Sequence, residues 1–309
     1  MAERAQRRLH AWRHGPAAAL LLALLASPAA RALAPDGAAG LQARLAALAP
    51  QLRDNGFGAP LDLESTQGDR QAQGDIYVLV AAPFGTVSTA LAAPAHWCDI
   101  MMLHLNTKSC RLVADTARPR LEIRIGRKFD QPTADAEALT FSWREAARTS
   151  DYLEIALDSP SGPFGTHDYR ILLQATPADA EHSFIHMSYA FGYGALGRIA
   201  LNVYLATVAR DKVGFSAAVP ASAGGPAQPV RGLRGLVERN TMRYALAIQT
   251  YLDALRLPEA QRRDWSLRQW FAATERYPRQ LHETDLDTYL AMKRDEFDRQ
   301  RAPVRAAPP

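Results

Sequence analysis

The chain is poor in the residues that mark metal and nucleophile chemistry. Only two cysteines, Cys98 and Cys110, occur in 309 residues, so a zinc site built from paired CxxC motifs is excluded. Neither HExxH nor GxSxG is present, which removes the signatures of the zinc peptidases and of the serine-hydrolase elbow. Gly192-Tyr193-Gly194-Ala195-Leu196-Gly197 is rich in glycine, but no Gly-Lys-Ser/Thr follows it. It therefore reads as a hairpin or rim loop and not as a phosphate cradle. Positive charge is also scarce outside the N-terminus. Residues 1–34 hold Arg4, Arg7, Arg8, Arg13 and Arg31 against Glu3 alone, and setting them aside from the 36 basic and 32 acidic residues leaves 31 of each. A nucleic-acid partner is not expected of so neutral a body.

The N-terminus itself has the order of a secretory signal. A basic start precedes the apolar run Ala17–Ala26, and Ala30-Arg31-Ala32 fits a small-x-small cleavage site, with the cut after Ala32. The expected location is therefore exported, in the periplasm, with an uncleaved membrane anchor as the alternative. The run falls short of the roughly 20 residues of a spanning helix, and no other stretch is long and apolar enough to span a bilayer. In an oxidising compartment Cys98 and Cys110 can pair. That bridge would close a loop of about 13 residues and contribute roughly 3 kcal/mol. The alternative is a catalytic thiol beside His96. The disulfide is favoured, because two lone cysteines outside the cytosol rarely stay reduced.

The patterning then divides the chain. Residues 1–32 are the signal, 33–59 a linker with a short helix (Leu41, Leu45, Leu48 and Leu52 on one side), and 60–255 the main domain. Strands are expected at 61–65, 75–81, 109–113, 121–125, 139–144, 153–157, 169–174, 183–191 and 201–208. A polar turn spans 66–74. Strict alternation carries several of them: Ile76, Val78 and Val80 oppose Tyr77 and Leu79, and Leu139, Phe141 and Trp143 oppose Thr140, Ser142 and Arg144. Phe84, Val87, Ser88 and Leu91 repeat at helical spacing, and Pro94 opens a second short helix. Ser216 to Pro229 is a low-complexity loop. The stretch 230–255 then places Leu233, Val237, Thr241, Tyr244, Ile248, Tyr251, Leu252 and Leu255 on one stripe of a long helix. Residues 256–301 are a further helical extension, too apolar for a disordered tail, that either packs back on the domain or meets a partner. Residues 302–309 read as a disordered tail.

The order of strand, Pro83-Phe84, amphipathic helix with Val87 and Leu91, and His96-Trp97 resembles the opening of the START-related helix-grip superfamily, which includes the polyketide-cyclase-like proteins. The likeness runs over roughly residues 60–255. It implies an α+β fold in which a curved antiparallel sheet wraps around the long C-terminal helix, with a ligand cavity between them. It also implies a hydrophobic small molecule or lipid as ligand, with transient membrane contact. From the missing motifs no catalytic residue, metal or cofactor is expected. A cavity enzyme of the cyclase or hydrolase kind and an interaction module using residues 256–301 are the alternatives.

Candidate ligand residues are Trp97, His104, His186, Tyr189, Tyr204, Asn240, Arg243 and Tyr244. Each has a plainer reading. Trp97, Tyr189 and Tyr204 are more often core. His104 and His186 are more often held by one hydrogen bond. Arg239 and Arg243, four apart beside Glu238 and Asn240, are more often a solvated face with weak ion pairs. His182 and His186 are also four apart, but on a strand they stand about 13 Å from each other, too far to share a metal.

Overall fold

A computed structural model describes residues 37–114, 118–207, 209–219 and 228–301. The expected signal segment, the expected tail and residues 220–227 of the expected loop lie outside the described residues.

Eight strands form one antiparallel sheet: β1 (Leu61–Gln67), β2 (Gln71–Val80), β3 (Thr107–Val113), β4 (Arg120–Ile125), β5 (Glu137–Arg148), β6 (Leu153–Ser161), β7 (Thr166–Pro177) and β8 (Ser183–Tyr193). Their spatial order is β1-β2-β8-β7-β6-β5-β4-β3. The six later strands are a meander, and the β1–β2 hairpin joins it beside β8. Between β2, next to the β1 edge, and β3, at the opposite edge, the chain crosses the sheet through α2 (Phe84–Leu91) and α3 (Pro94–Met102). Register shifts interrupt the ladders at Thr107/Ser109, Glu145/Ala147 and His167/Arg170. Such bulges add twist and bend the strand that carries them. On the concave face, α5 (Gly232–Ala254) is the long helix. Gly74 in β2 lets it sit close, since a Cβ there would overlap Thr241 Oγ1. The architecture is α+β and helix-grip, as the resemblance implied.

The alternation holds where it was strict. Ile76, Val78 and Val80 enter the main core together with Leu139, Phe141, Trp143, Val237 and Ile248. The opposite face is not bare. Helix α1 (Gly37–Arg53) lays Leu41, Leu48 and Leu52 on Tyr77, Tyr152 and Phe184 in a second, smaller core. Behind α5 come α6 (Glu259–Glu275), α7 (Pro278–Leu281) and α8 (Leu286–Arg301), so residues 259–301 pack back on the domain. Together with residues 213–216, which cover Glu238 and Arg239, this is why α5 is buried nearly all round and not on one stripe: Met242, Arg243, Leu246 and Ala247 are covered as well.

Three expectations are corrected. Residues 201–208 are not a strand, because Ala195–Ala206 is helix α4. Gly194 is the residue before that helix, so the glycine-rich stretch is the end of β8 and the start of α4, not a hairpin loop. The turn at 66–74 is shorter than its polarity suggests, since β2 already begins at Gln71, paired with β1 on one side and β8 on the other. Cys98 and Cys110 are joined, with Cα atoms 5.3 Å apart. Both sulfurs are used in the bridge, which leaves no free thiol beside His96.

Candidate functional site: a cationic seat beneath α4

Helix α5 turns a mixed set of side chains inward. Tyr244 meets Tyr189 of β8, with ring centroids 5.6 Å apart, and His104 at 5.2 Å. Asn240 hydrogen-bonds Tyr189, whose phenol burial pushes well above its ordinary value. One turn along, Arg243 donates to Glu283 Oε1 at 2.6 Å and to the Leu281 carbonyl at 3.3 Å. Glu283 also takes Lys128 at 2.5 Å and faces Lys212 Nζ at 3.6 Å. Arg239 donates to the Val213 carbonyl at 3.2 Å. Tyr204 of α4 lies within the field of Glu283, Arg239 and Arg243.

This cluster is short of negative charge. Burial first, then Arg243, lowers the Lys128 ammonium to about 8 despite Glu283. Burial and Arg243 likewise bring Arg239 down to about 10. Burial raises the Glu283 carboxyl, but Arg243 and Lys128 outweigh it and hold it below its ordinary range. Glu238 is close by and its oxygens are engaged by Ser65 Oγ and by the Phe215 and Ser216 amides. In this cluster three buried nitrogens find no acceptor, Arg239 Nε, Arg243 Nε and His104 Nε2, and elsewhere among the described residues Arg44 Nε and Trp143 Nε1 are in the same state. Buried polar atoms of this kind are uncommon and each needs an account.

His104 gives the site a pH signature. Burial, followed by Arg243, Lys128, Lys293 and Lys108, lowers its imidazole well below the ordinary 6.5. The unfolded chain therefore binds a proton that the folded chain refuses. Stability is complete above about 6.5 and falls as pH drops below it, by about 1.4 kcal/mol per pH unit for one proton. Urea unfolding between pH 7 and pH 5 is expected to show this slope in the native protein and a flatter one in His104→Gln. Equal slopes would reject His104 as its source.

The expected ligand residues thus separate. His104, Tyr189, Tyr204, Asn240, Arg243 and Tyr244 come together around α5. Trp97 does not: it is core on α3, its Nε1 donating to the Leu91 carbonyl at 2.8 Å. His186 is on the opposite face. It is one residue out of step with Ile185 and Met187, stacks on Tyr77 at 4.4 Å, and is bound to Asp75 and Gln174. The plainer reading of Arg239 and Arg243 is corrected, since both are buried. Lys128, Lys212 and Glu283 were not anticipated, and Glu238 was named only as a neighbour of the two arginines. Two grooves open at the surface, about 550 Å³ beside α5 and α6 and about 660 Å³ beside β3–β5, and neither contains any of the eight residues.

No protein-family model matches the chain. No curated protein matches it either. Among solved structures, norcoclaurine synthase from Thalictrum flavum superposes with a TM-score of 0.33 at 11% identity, over 46% of this chain and 86% of that one. An aromatase/cyclase from a Streptomyces species gives 0.31 at 16%, over 45% and 86%. A conserved protein from Geobacillus kaustophilus gives 0.30 at 14%, over 45% and 85%. At such values the helix-grip description rests on the strand order and the seating of α5 in this chain itself.

Proposed function

We propose that this domain binds a hydrophobic small molecule, lipid-like in character, between the sheet and α5, and that it does so in an exported protein. The observation that carries the reading is the outer face of α4. Leu196 is 82% exposed, Ile199 61% and Val203 59%, in steps of three and four along one stripe. Phe164, 62% exposed, is held at φ 59° in the turn against α4 and stacks on Tyr204. A bulky residue in the left-handed region is rare, and here its ring packs on α4 through Tyr204. Of the five large hydrophobics exposed among the described residues, these are four, and the fifth, Phe129, follows Lys128. Exposed apolar surface concentrated at one place marks a contact or an entry point. Helix α4 is then the wall that an apolar ligand passes. The inner face of α4 is apolar too, through the buried Leu201.

The reading is a binding one. The buried histidine–carboxylate pair, His186–Asp75, which a hydrolytic site could have used, is under α1 on the other side of the sheet. Native mass spectrometry followed by organic extraction, together with uptake of the neutral probe N-phenyl-1-naphthylamine, tests the proposal. Saturable uptake is expected, slowed in Ile199→Asp/Val203→Asp, whose circular dichroism should match the native protein because both positions face solvent. A protein that yields no extractable compound and takes up no probe would end the reading.

A further inference from the structure

The charge balance beneath α4 says what kind of ligand the seat suits. Among the groups that meet there, Arg239, Arg243, Lys128 and Lys212 carry four positive charges, and Glu238 and Glu283 two negative ones. Glu238 is taken up by Ser65 and by two backbone amides, so Glu283 alone serves three of the cations directly. The buried nitrogens of this cluster that lack an acceptor are, in addition, on groups that can donate, the two arginine Nε–H groups and His104 Nε2, while the one buried side-chain carbonyl oxygen without a donor among the described residues is the neutral amide Oδ1 of Asn106. His104 Nδ1 already accepts from the Asn106 amide, which leaves the proton on Nε2. What the seat lacks is an acceptor with negative charge.

We propose that the ligand carries an acidic head group, a carboxylate or a phosphate, that docks on Arg239, Arg243 and Lys128 with its apolar body toward α4. This rests on the small-molecule reading above and adds its ligand class. Guanidinium groups suit such a head because two N–H donors can meet two oxygens at once. Lys128 and Lys212, each about a fifth exposed, are on the open side of the cluster, and Arg239 and Arg243 are inside. An anion entering from solvent therefore meets the lysines first and the arginines last. The Lys212 ammonium is also tied to the His282 carbonyl, next to Glu283, so the short segment between α7 and α8 is held at this entrance.

Isothermal titration of dodecanoate, dodecyl phosphate and dodecanol into the full chain, at one pH and one salt concentration, tests the head group with the tail held constant. The two acids are expected to bind at least about tenfold more tightly than the alcohol, the effect of a charge-assisted contact. In Arg239→Gln that ratio should shrink toward one. If Arg239→Gln does not fold, Lys128→Gln, nearer the surface, carries the same expectation. Equal affinity for acid and alcohol overturns the inference and leaves the small-molecule reading in place. If none of the three binds, the small-molecule reading fails, and inorganic phosphate decides the rest. Heat protection of the native protein by phosphate that is lost in Arg239→Gln keeps an anion seat for a free oxyanion, and no protection overturns it.

Discussion

Glu296→Gln is expected to lower the free energy of unfolding by about 3–5 kcal/mol. Glu296 of α8 is fully buried between two fully buried lysines. Its Oε1 takes Lys108 at 2.8 Å and its Oε2 takes Lys293 at 2.6 Å. Each ammonium is completed by main-chain carbonyls: Leu105 and Phe129 for Lys108, His104 and Thr107 for Lys293. The carboxylate is thus the only charge among these contacts that offsets two cations removed from water. An amide in its place offers one acceptor and turns an N–H₂ toward the other ammonium. Burial already lowers Lys293 to about 8 with Glu296 present. A lowered lysine destabilises most below its folded value, and the loss is relieved as pH rises toward the unfolded value of 10.5. With the carboxylate gone, the folded value of Lys293 falls further, so the variant should recover part of its stability as pH rises toward 10.5. Urea midpoints at pH 7 and pH 9.5 check both statements. A loss under 1 kcal/mol at pH 7 would mean that the lysines find other acceptors. The triple variant Lys108→Met/Lys293→Met/Glu296→Leu should lie much nearer the native protein, because a well-packed apolar replacement of a buried ion set costs little.

Trp270→Ala should cost a similar amount, about 3–5 kcal/mol, for a different reason. Trp270 of α6 is fully buried, stacks on Tyr289 of α8 at 5.5 Å, and stands 6.1 Å from His104. Its Nε1 donates to the Arg243 carbonyl at 3.1 Å. Truncation leaves a void where α5, α6 and α8 meet, and dense cores collapse onto such voids only in part. Trp270→Phe keeps most of the apolar area and should cost about 1–2 kcal/mol, from a poorer fit and a lost hydrogen bond. Amide exchange along α6 and α8 should quicken in the alanine variant before it does in β5–β7. If the alanine variant unfolds within 1 kcal/mol of native, the helical extension does not belong to the cooperative core.

Both variants act on the segment beyond residue 258, whose apolar content already argued against a disordered tail. The patterning of single residues went a long way here. Period-two runs identified β2, β4, β5 and β6 and the faces they bury, because a strand with one covered face must alternate. The spacing of three and four over residues 230–255 located α5. Two lone cysteines, read as following an expected export signal, anticipated the bridge now seen between α3 and β3.

Other features depended on neighbours far away in the chain. Leu201-Asn202-Val203-Tyr204-Leu205 suits a strand as well as a helix, and packing decided for helix, against the turn at Phe164 and against α5. His186 alternates correctly along β8, but periodicity cannot say which face meets α5, nor that α1 covers the other. Arg239 and Arg243 looked solvated because nothing local tells whether a second layer of helices covers α5. Arg243 finds its counter-ion Glu283 40 residues further along, and Glu296 is 188 residues beyond Lys108. Local pattern therefore determined most of the strands and helices, α4 excepted, and the apolar stripe or face that each of these had to bury. The tertiary structure alone decided which charges are buried, who neutralises them, and where one more negative charge is wanted, because the free energy of a buried ion depends on partners that only the fold brings within reach.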